Sequence, residues 1–367
     1  MKEKIKTRAG ILMFVIIIGA LSVINLFKGA DEFSVSERRK LKQPPEWTVS
    51  SFFNTTYSKD FEDYTMDQFP LREAFRTLKA LSNKYVFFQK DNNGIYLVDG
   101  YAAKLNYPLK EEAVQNAIKK FRFIYDRYLS DKNVRIFTSV VPDKGFYLAD
   151  ENYPAMDYKE LFSMIEEGMD YAKYINISDS LTIEAYYKTD THWRQEKIQA
   201  VVSKIAGEMG FLEALSKDYE KITSDTPFYG VYYGQAALPL KSEAMIYLTN
   251  EVIKDCTVYN YETGKEIPVY ALDKLSGNDP YDVFLSGATP LLTVTNPNAP
   301  SRKELILFRD SFGGSIAPLF LEGYSKITLV DIRYIRSDIL GDYIDFNNQD
   351  ILFLYSTLLL NDSYSLK

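Results

Sequence analysis

Residues 305–314 read LILFRDSFGG, an apolar run of strand length that leads through a charged pair into Ser311, Phe312 and two glycines. The apolar residues 316–321 come next and predict a helix. In α/β sheets, functional sites form at the carboxyl ends of the strands. The pattern therefore predicts a strand–turn–helix unit with Ser311 at the N-terminus of the helix.

Other apolar runs of strand length lie along the chain and alternate with stretches of helical spacing. The runs are residues 134–141, 327–330 and 351–355, and the helical stretches are residues 111–128, 158–174 and 195–209. Alternation of this kind is typical of buried parallel strands in an α/β fold with a mainly parallel sheet. Residues 223–295 are less periodic, and we expect them to form a strand-and-loop insertion beside the sheet.

The N-terminus begins with Lys2, Lys4, Lys6 and Arg8, which are followed by the uncharged apolar residues 11–27. A helix over this segment would be about 25 Å long, close to the thickness of the hydrocarbon core of a membrane. The pattern favours an uncleaved transmembrane anchor with its basic end in the cytoplasm. A cleaved secretion signal is the alternative.

The predicted division of the chain follows from this segment. It has a cytoplasmic basic tail (1–10), a transmembrane signal anchor (11–27), a stalk (28–50) and one extracytoplasmic domain (51–367). The stalk is assigned because residues 31–45 are polar and charged and end in two prolines. We therefore expect a single-pass protein of the cell membrane.

The composition argues against several classes of protein. The chain has 50 Asp and Glu against 43 Lys and Arg, whereas a nucleic-acid-binding surface should be positive. A single cysteine, Cys256, cannot form an intramolecular disulfide, and one Cys with one His cannot supply a usual zinc site. We therefore expect no metal and no cofactor.

The chain contains a single histidine, His192, within the sequence DTHW of residues 190–193. A serine hydroxyl becomes a good nucleophile when a base takes its proton and a carboxylate orients that base. Residues two apart on an extended segment point the same way, so Asp190 and His192 are expected to share one face. The predicted catalytic triad is Ser311, His192 and Asp190. The alternatives are a helix N-cap for Ser311 and a structural histidine packed on Trp193.

Five further residues are candidates for contact with the substrate or with an oxyanion. The amides of Phe312 and Gly313 would bind an oxyanion at the helix N-terminus. Lys144 follows the strand at 134–141 and would line the same cleft, unless it belongs to a capped loop. Tyr232 lies in an aromatic segment that would form either a wall for a sugar ring or a strand pair with turns. Arg309 is the fifth candidate and lies two residues before Ser311.

Several blocks of the sequence together resemble the DHHW-type proteins and the periplasmic alginate O-acetylation proteins, a branch of the SGNH hydrolase-like superfamily. These blocks are residues 63–72 (DYTMDQFPLR), 93–97 (NGIYL), 141–144 (VPDK), 190–193 (DTHW) and 309–312 (RDSF). The resemblance implies a three-layer SGNH hydrolase-like domain behind the anchor. It also implies that Ser311 is catalytic, with His192 as its base and Asp190 as the orienting carboxylate.

The sequence departs from the family pattern at two positions. Thr191 stands where the family has the first of two adjacent histidines. Arg309 stands where SGNH enzymes usually have glycine, so that it would crowd or recognise the substrate.

The resemblance implies O-acetyl transfer onto an extracellular polysaccharide, or removal of acetyl esters from it. It further implies a multispanning membrane acyltransferase as partner, to which the anchor would keep Ser311 close. The competing interpretation is a non-catalytic glycan-binding or assembly protein of the cell envelope.

Overall fold

The computed structural model describes residues 2–216 and 218–367, and the chain divides into two compact units. Unit 1 comprises Met1–Asn92 and Gly234–Pro239, and unit 2 comprises Asn93–Tyr233 and Leu240–Lys367. The elements of unit 1 are α1 (Lys2–Phe27), β1 (Phe33–Ser34), β2 (Arg39–Lys40), α2 (Val49–Phe53), α3 (Thr56–Asp67), α4 (Arg72–Tyr85) and β3 (Asp91–Asn92).

Helix α1 contains a candidate membrane span, Ile5–Asn25, which is 21 residues long and is apolar after Lys6 and Arg8 in its first turns. At 1.5 Å per residue this segment is about 31 Å long, enough to cross the hydrocarbon core of a membrane. A secretion signal near the N-terminus has the same length and composition. The chain thus begins with one apolar helix that fits a single-pass anchor, and its orientation stays a prediction.

The predicted stalk, residues 28–50, contains the antiparallel pair of β1 and β2. Ion pairs connect this segment to the helices of unit 1, because Arg39 binds Asp67 at 2.6 Å and Arg72 binds Glu37 at 2.5 Å. The division of the chain at residue 51 stays a prediction.

Unit 2 holds the predicted Ser–His–Asp residues. Its elements up to residue 255 are β4 (Ile95–Val98), β5 (Tyr101–Lys104), α5 (Glu111–Ile124), β6 (Arg135–Val141), α6 (Gly145–Leu148), α7 (Tyr158–Gly168), β7 (Lys173–Tyr174), α8 (Gln199–Met209), β8 (Glu220–Phe228), α9 (Val231–Ala236, of which the first three residues belong to this unit), β9 (Glu243–Thr249) and α10 (Glu251–Asp255). The remaining elements are β10 (Thr257–Asn260), β11 (Lys265–Ile267), β12 (Leu291–Thr295), β13 (Glu304–Arg309), α11 (Ser311–Ile316), β14 (Lys326–Val330), β15 (Asp350–Ser356) and α12 (Thr357–Leu360).

The central sheet of unit 2 has the strand order β11-β10-β12-β14-β13-β15-β6-β7. The five strands from β14 to β7 are parallel, and β12, β10 and β11 continue the sheet in antiparallel pairing. The prediction that residues 223–295 lie beside the sheet is therefore wrong for β10, β11 and β12, which are part of it. Of the strands in this segment, β8 and β9 lie outside the central sheet and pair with each other.

Two hydrophobic layers cover the faces of this sheet. On β13, Leu305 and Leu307 pack in one cluster with α8 and α11, whereas Ile306 and Phe308 pack in the other with α5 and α7. Successive side chains of a strand point to opposite faces, so a strand that is apolar at every position serves both layers. The predicted α/β architecture, a mainly parallel sheet between two helical layers, is confirmed.

Two predicted helices have different bounds in the structure. The stretch 158–174 forms a helix only to Gly168, and Lys173–Tyr174 is a strand that pairs with β6. A Cβ at position 168 would lie 2.7–3.0 Å from the Ile118 side chain, so glycine allows α7 to approach α5 closely. The stretch 195–209 begins with a 3₁₀ turn, Gln195–Lys197, and α8 starts at Gln199.

Candidate active site

The loop that carries Asp190 and His192 joins Tyr186 to Trp193, two residues that form an isolated antiparallel bridge. The loop bends, because the backbone N–H of His192 donates to Asp190 Oδ1 at 3.0 Å. We expected an extended segment here. The structure instead brings the aspartate and the histidine together through a turn that is stabilised by the aspartate itself.

Ser311 lies at the first position of α11, after the carboxyl end of β13. Asp310 caps this helix, since its Oδ1 accepts the Phe312 N–H at 3.0 Å and its Oδ2 accepts the Ser356 N–H at 2.8 Å. Both carboxylate oxygens are thus used to fix the turn between strand and helix, which agrees with a structural role for Asp310. Gly313 is required for this turn, because a Cβ there would lie 2.4 Å from Arg309 Cβ.

The structure brings the three predicted catalytic residues together in one hydrogen-bonded chain. His192 Nδ1 lies 2.6 Å from Asp190 Oδ1, and His192 Nε2 lies 2.7 Å from Ser311 Oγ. An ionised carboxylate only accepts hydrogen bonds, so Nδ1 carries the proton and Nε2 accepts the serine O–H. Asp190 is fully buried, His192 is 7% exposed and Ser311 is half-buried. The chain of contacts therefore runs from the interior to a serine that solvent can reach.

A second segment holds the far side of Asp190. The backbone N–H of Val231 donates to Asp190 Oδ2 at 2.8 Å. Gly230 packs directly on the aspartate, because a Cβ at this position would lie 2.3 Å from Asp190 Cβ and 2.4 Å from its Cα. The sequence did not indicate that residues 230 and 231 would support the carboxylate.

Two aromatic rings hold the imidazole. Tyr281 stacks on His192 with 3.8 Å between ring centroids and 7° between ring planes, and Phe312 lies on it at 5.0 Å and 56°. The Tyr281 hydroxyl and Trp193 Nε1 both donate to Ser315 Oγ at 2.7 Å. Burial raises the pKa of Tyr281 well above its usual value, so this hydroxyl stays protonated and donates. Tyr281 and Ser315 were missed by the sequence analysis.

The amides of Phe312 and Gly313 do not lie free for an oxyanion. The Phe312 N–H donates to the Asp310 carboxylate, and the Gly313 N–H donates to the Asp310 carbonyl at 3.1 Å. The Phe312 ring is 2% exposed and packs edge-on against Trp193. The expectation that these two amides bind the oxyanion is therefore not met in this arrangement.

Arg309 does not face a substrate. Its side chain is 1% exposed and lies 3.8 Å from the buried Asp331 carboxylate, with a further hydrogen bond to the Gly287 carbonyl at 3.2 Å. The expectation that Arg309 crowds or recognises the substrate fails because the side chain turns into the interior, where a buried charge needs a partner of opposite sign.

Lys144 and Tyr232 lie beneath the Asp190–His192 loop. Lys144 Nζ donates to the carbonyls of Tyr187 and Lys188 at 3.0 and 3.2 Å, and it lies 4.9 Å from the centroid of the Tyr232 ring. Lys144 is 2% exposed and Tyr232 is 4% exposed. Neither lines an open cleft as expected. In the aromatic segment, Phe228 is the last residue of β8, Tyr229 is exposed and Tyr232 lies in α9.

Within residues 2–216 and 218–367, no group of three or more His, Cys, Asp or Glu side chains is arranged to hold a metal ion.

Comparison with solved structures identifies relatives of this fold. A DHHW family protein from Eubacterium siraeum matches with a TM-score of 0.58 and 19% identity, over 74% of this chain and 93% of that protein. The chain shares the fold of a DHHW family protein. Bacillus cereus PatB1, solved with a sulfonyl adduct, matches with a TM-score of 0.58 and 18% identity, over 72% of this chain and 95% of that protein.

The O-acetyltransferase domain of Pseudomonas putida AlgJ also matches, with a TM-score of 0.44 and 11% identity over 73% of this chain and 92% of that domain. Neither a protein-family model nor a curated protein matches the sequence. The first two structures share the fold of this chain, and the catalytic roles of Ser311, His192 and Asp190 stay predictions.

Proposed function

We propose that this chain is an extracytoplasmic, serine-dependent O-acetyltransferase or acetylesterase that acts on a polysaccharide of the cell surface. The observation that carries the proposal is the continuous contact from Asp190 through His192 to Ser311, at 2.6 and 2.7 Å. Nucleophile and base within hydrogen-bond reach, with the base oriented by a third group, is the geometry of an activated serine. The choice of acetyl as the transferred group and of a polysaccharide as the substrate rests on the resemblance to the alginate O-acetylation proteins.

The proposed reaction has two steps that use the same three residues. Ser311 Oγ attacks the acetyl carbonyl while His192 Nε2 takes the hydroxyl proton, and the donor's alcohol leaves with that proton as the serine ester forms. A sugar hydroxyl, or water, then attacks the serine ester and gives its proton to His192 Nε2. The imidazole returns the proton to Ser311 Oγ as the new ester, or acetate, departs. Asp190 stabilises the imidazolium of both steps.

The buried position of Asp190 supports this assignment. A carboxylate with 0% exposure is costly unless it is hydrogen-bonded, and here it accepts the His192 Nδ1–H and the backbone N–H groups of His192 and Val231. A histidine that serves packing alone does not need a buried charge beside it. The apolar N-terminal helix favours a site outside the cytoplasm, close to the membrane.

The decisive experiment is the intact mass of the full-length protein in detergent after incubation with 4-nitrophenyl acetate, and separately with phenylmethylsulfonyl fluoride. The wild type should gain one acetyl or one sulfonyl group, and Ser311→Ala should gain neither. Asp190→Asn should react about 10³- to 10⁴-fold more slowly, because the amide favours the wrong imidazole tautomer. Equal labelling and turnover of wild type and Ser311→Ala would refute catalysis and leave a glycan-binding protein.

Transfer and hydrolysis differ in the lifetime of the acetyl adduct. A long-lived adduct that disappears when a glycan fraction from the cell envelope is added indicates transfer. Rapid release of acetate without a lasting adduct indicates an esterase.

A further inference from the structure

The loop from Tyr187 to His192 presents two catalytic candidates although it contains no helix and no strand. Its order depends on hydrogen bonds to other elements of unit 2. The Thr189 N–H donates to Glu243 Oε2 at 3.1 Å, and the Thr189 carbonyl accepts the Tyr232 N–H at 3.0 Å. The loop is therefore held from several sides, and each attachment helps to fix the distance between His192 and Ser311.

Lys144 supplies the charged attachment of this loop. Its ammonium group has three N–H donors, of which two bond the consecutive carbonyls of Tyr187 and Lys188. The same group lies 4.9 Å from the centroid of the Tyr232 ring, a distance at which a cation is attracted to the aromatic face. The ammonium is thus occupied within the protein, so it is not a group that touches the substrate.

Lys144 also lies among acidic groups on the elements packed around it. Asp190 on the loop, Glu243 on β9 and the adjacent Asp143 attract its positive charge, while burial opposes it and lowers its pKa to about 7. Burial likewise raises the pKa of Glu243. Tyr232, whose ring faces the ammonium, stays neutral because burial raises its pKa.

We propose that Lys144 is a positioning residue: its ammonium group holds the Tyr187 and Lys188 carbonyls and thereby sets the Asp190–His192 pair in line with Ser311. The inference rests on the proposed function and adds a residue to it. A neutral amine makes weaker hydrogen bonds than an ammonium, so the attachment weakens when Lys144 loses its proton. Loss of the attachment leaves two carbonyls without their charged donor and displaces the loop.

The test compares Lys144→Met, which has a similar shape without donors, with Lys144→Arg, which keeps the charge. Turnover of 4-nitrophenyl acetate and the rate of sulfonylation are measured on the full-length protein. We expect Lys144→Met to lower kcat and the sulfonylation rate about 100-fold with little change in KM, the effect of a misplacement of about 1 Å. Lys144→Arg should have a kcat and a sulfonylation rate at least tenfold higher than those of Lys144→Met.

The pH profile of kcat distinguishes a positioning role of Lys144 from a role in protein stability alone. Wild-type kcat should decline as pH rises through about 7, where Lys144 deprotonates, and the decline should be absent from Lys144→Met. Circular dichroism and thermal melts show whether each variant is folded. If the Met variant does not fold, Lys144→Gln, which keeps two N–H donors without the charge, takes its place and should show the same lowered kcat and the same loss of the decline.

Two results would overturn the inference: a folded Lys144→Met or Lys144→Gln enzyme with wild-type kcat, or a variant pH profile that superimposes on that of the wild type. Ser311→Ala separates this failure from failure of the proposed function. If Ser311→Ala is inactive while Lys144→Met equals the wild type, only the role of Lys144 is refuted. If Ser311→Ala remains active, the proposed function itself fails.

Discussion

The imidazole of His192 and the phenol ring of Tyr281 lie parallel, with their centroids 3.8 Å apart and 7° between their planes. The hydroxyl of the same tyrosine donates to Ser315, which lies in the helix that begins with Ser311. Tyr281 thus connects the base and the helix of the nucleophile through one rigid side chain.

Replacement of Tyr281 by leucine should lower kcat about 10- to 100-fold, because the imidazole loses the flat surface that fixes its orientation. Tyr281→Phe keeps the ring and loses the hydroxyl's contacts with Ser315 Oγ and the Trp193 carbonyl, at a cost of about 1 kcal/mol in stability. Its kcat should remain close to that of the wild type. Initial rates with 4-nitrophenyl acetate and thermal melts measure both effects. Wild-type kcat in the leucine variant would show that stacking does not orient His192.

Gly230→Ala should destabilise the protein by about 1–3 kcal/mol and lower its kcat, because the added Cβ would meet the backbone of Asp190. Gly207→Ala is the matched control. Gly207 lies in α8, where the atom nearest to the added Cβ is 4.0 Å away. This variant should therefore be as stable as the wild type or up to about 1 kcal/mol more stable, with unchanged kcat. Denaturant unfolding and initial rates separate the two variants, and equal stability of both would contradict the tight packing at Asp190.

Unit 1 should lose stability in acid through Asp67. The Arg39 guanidinium lowers the pKa of this carboxyl from 3.8 to about 2. The stabilisation is present above pH 4 and disappears as pH falls towards 2, because the unfolded chain takes up the proton first. Pepsin cleavage within residues 31–92 should therefore increase steeply over this range.

Asp67→Asn should be cleaved readily at every pH in that range, with a weaker dependence on pH. Asp60→Asn is the control, since the Asp60 side chain is 42% exposed and lies 3.6 Å from Lys42. A wild-type cleavage profile in Asp67→Asn would exclude a role for the ion pair with Arg39.

The sequence predicts much of the scaffold of the site because it is encoded locally. The run at residues 305–308 leads directly into Ser311, so strand, turn and helix start follow from neighbouring residues. A chain with one histidine also offers one imidazole base, and DTHW places a carboxylate two residues away from it. These features are sufficient to name the three residues that the structure brings together.

The supporting residues are not predictable in this way, since they are distant in sequence and common in type. Tyr281 is one of 29 tyrosines and lies in a 3₁₀ turn of an irregular segment. The buried position of Arg309 depends on its contact with Asp331, which lies at the end of a neighbouring strand. No local pattern in the sequence indicates this contact. Lys144 was expected in the cleft because it follows a strand, but the loop covers it and its carbonyls attract the ammonium.

Strand β13 has apolar side chains towards both helical layers. A single-residue insertion within it would exchange the two faces, yet leucine, isoleucine and phenylalanine would still be buried on either side. The same insertion would displace Ser311 by about 3.3 Å along the strand direction, more than its 2.7 Å distance from His192. Length variation in this strand would therefore remove the alignment of the nucleophile with its base without removing the serine.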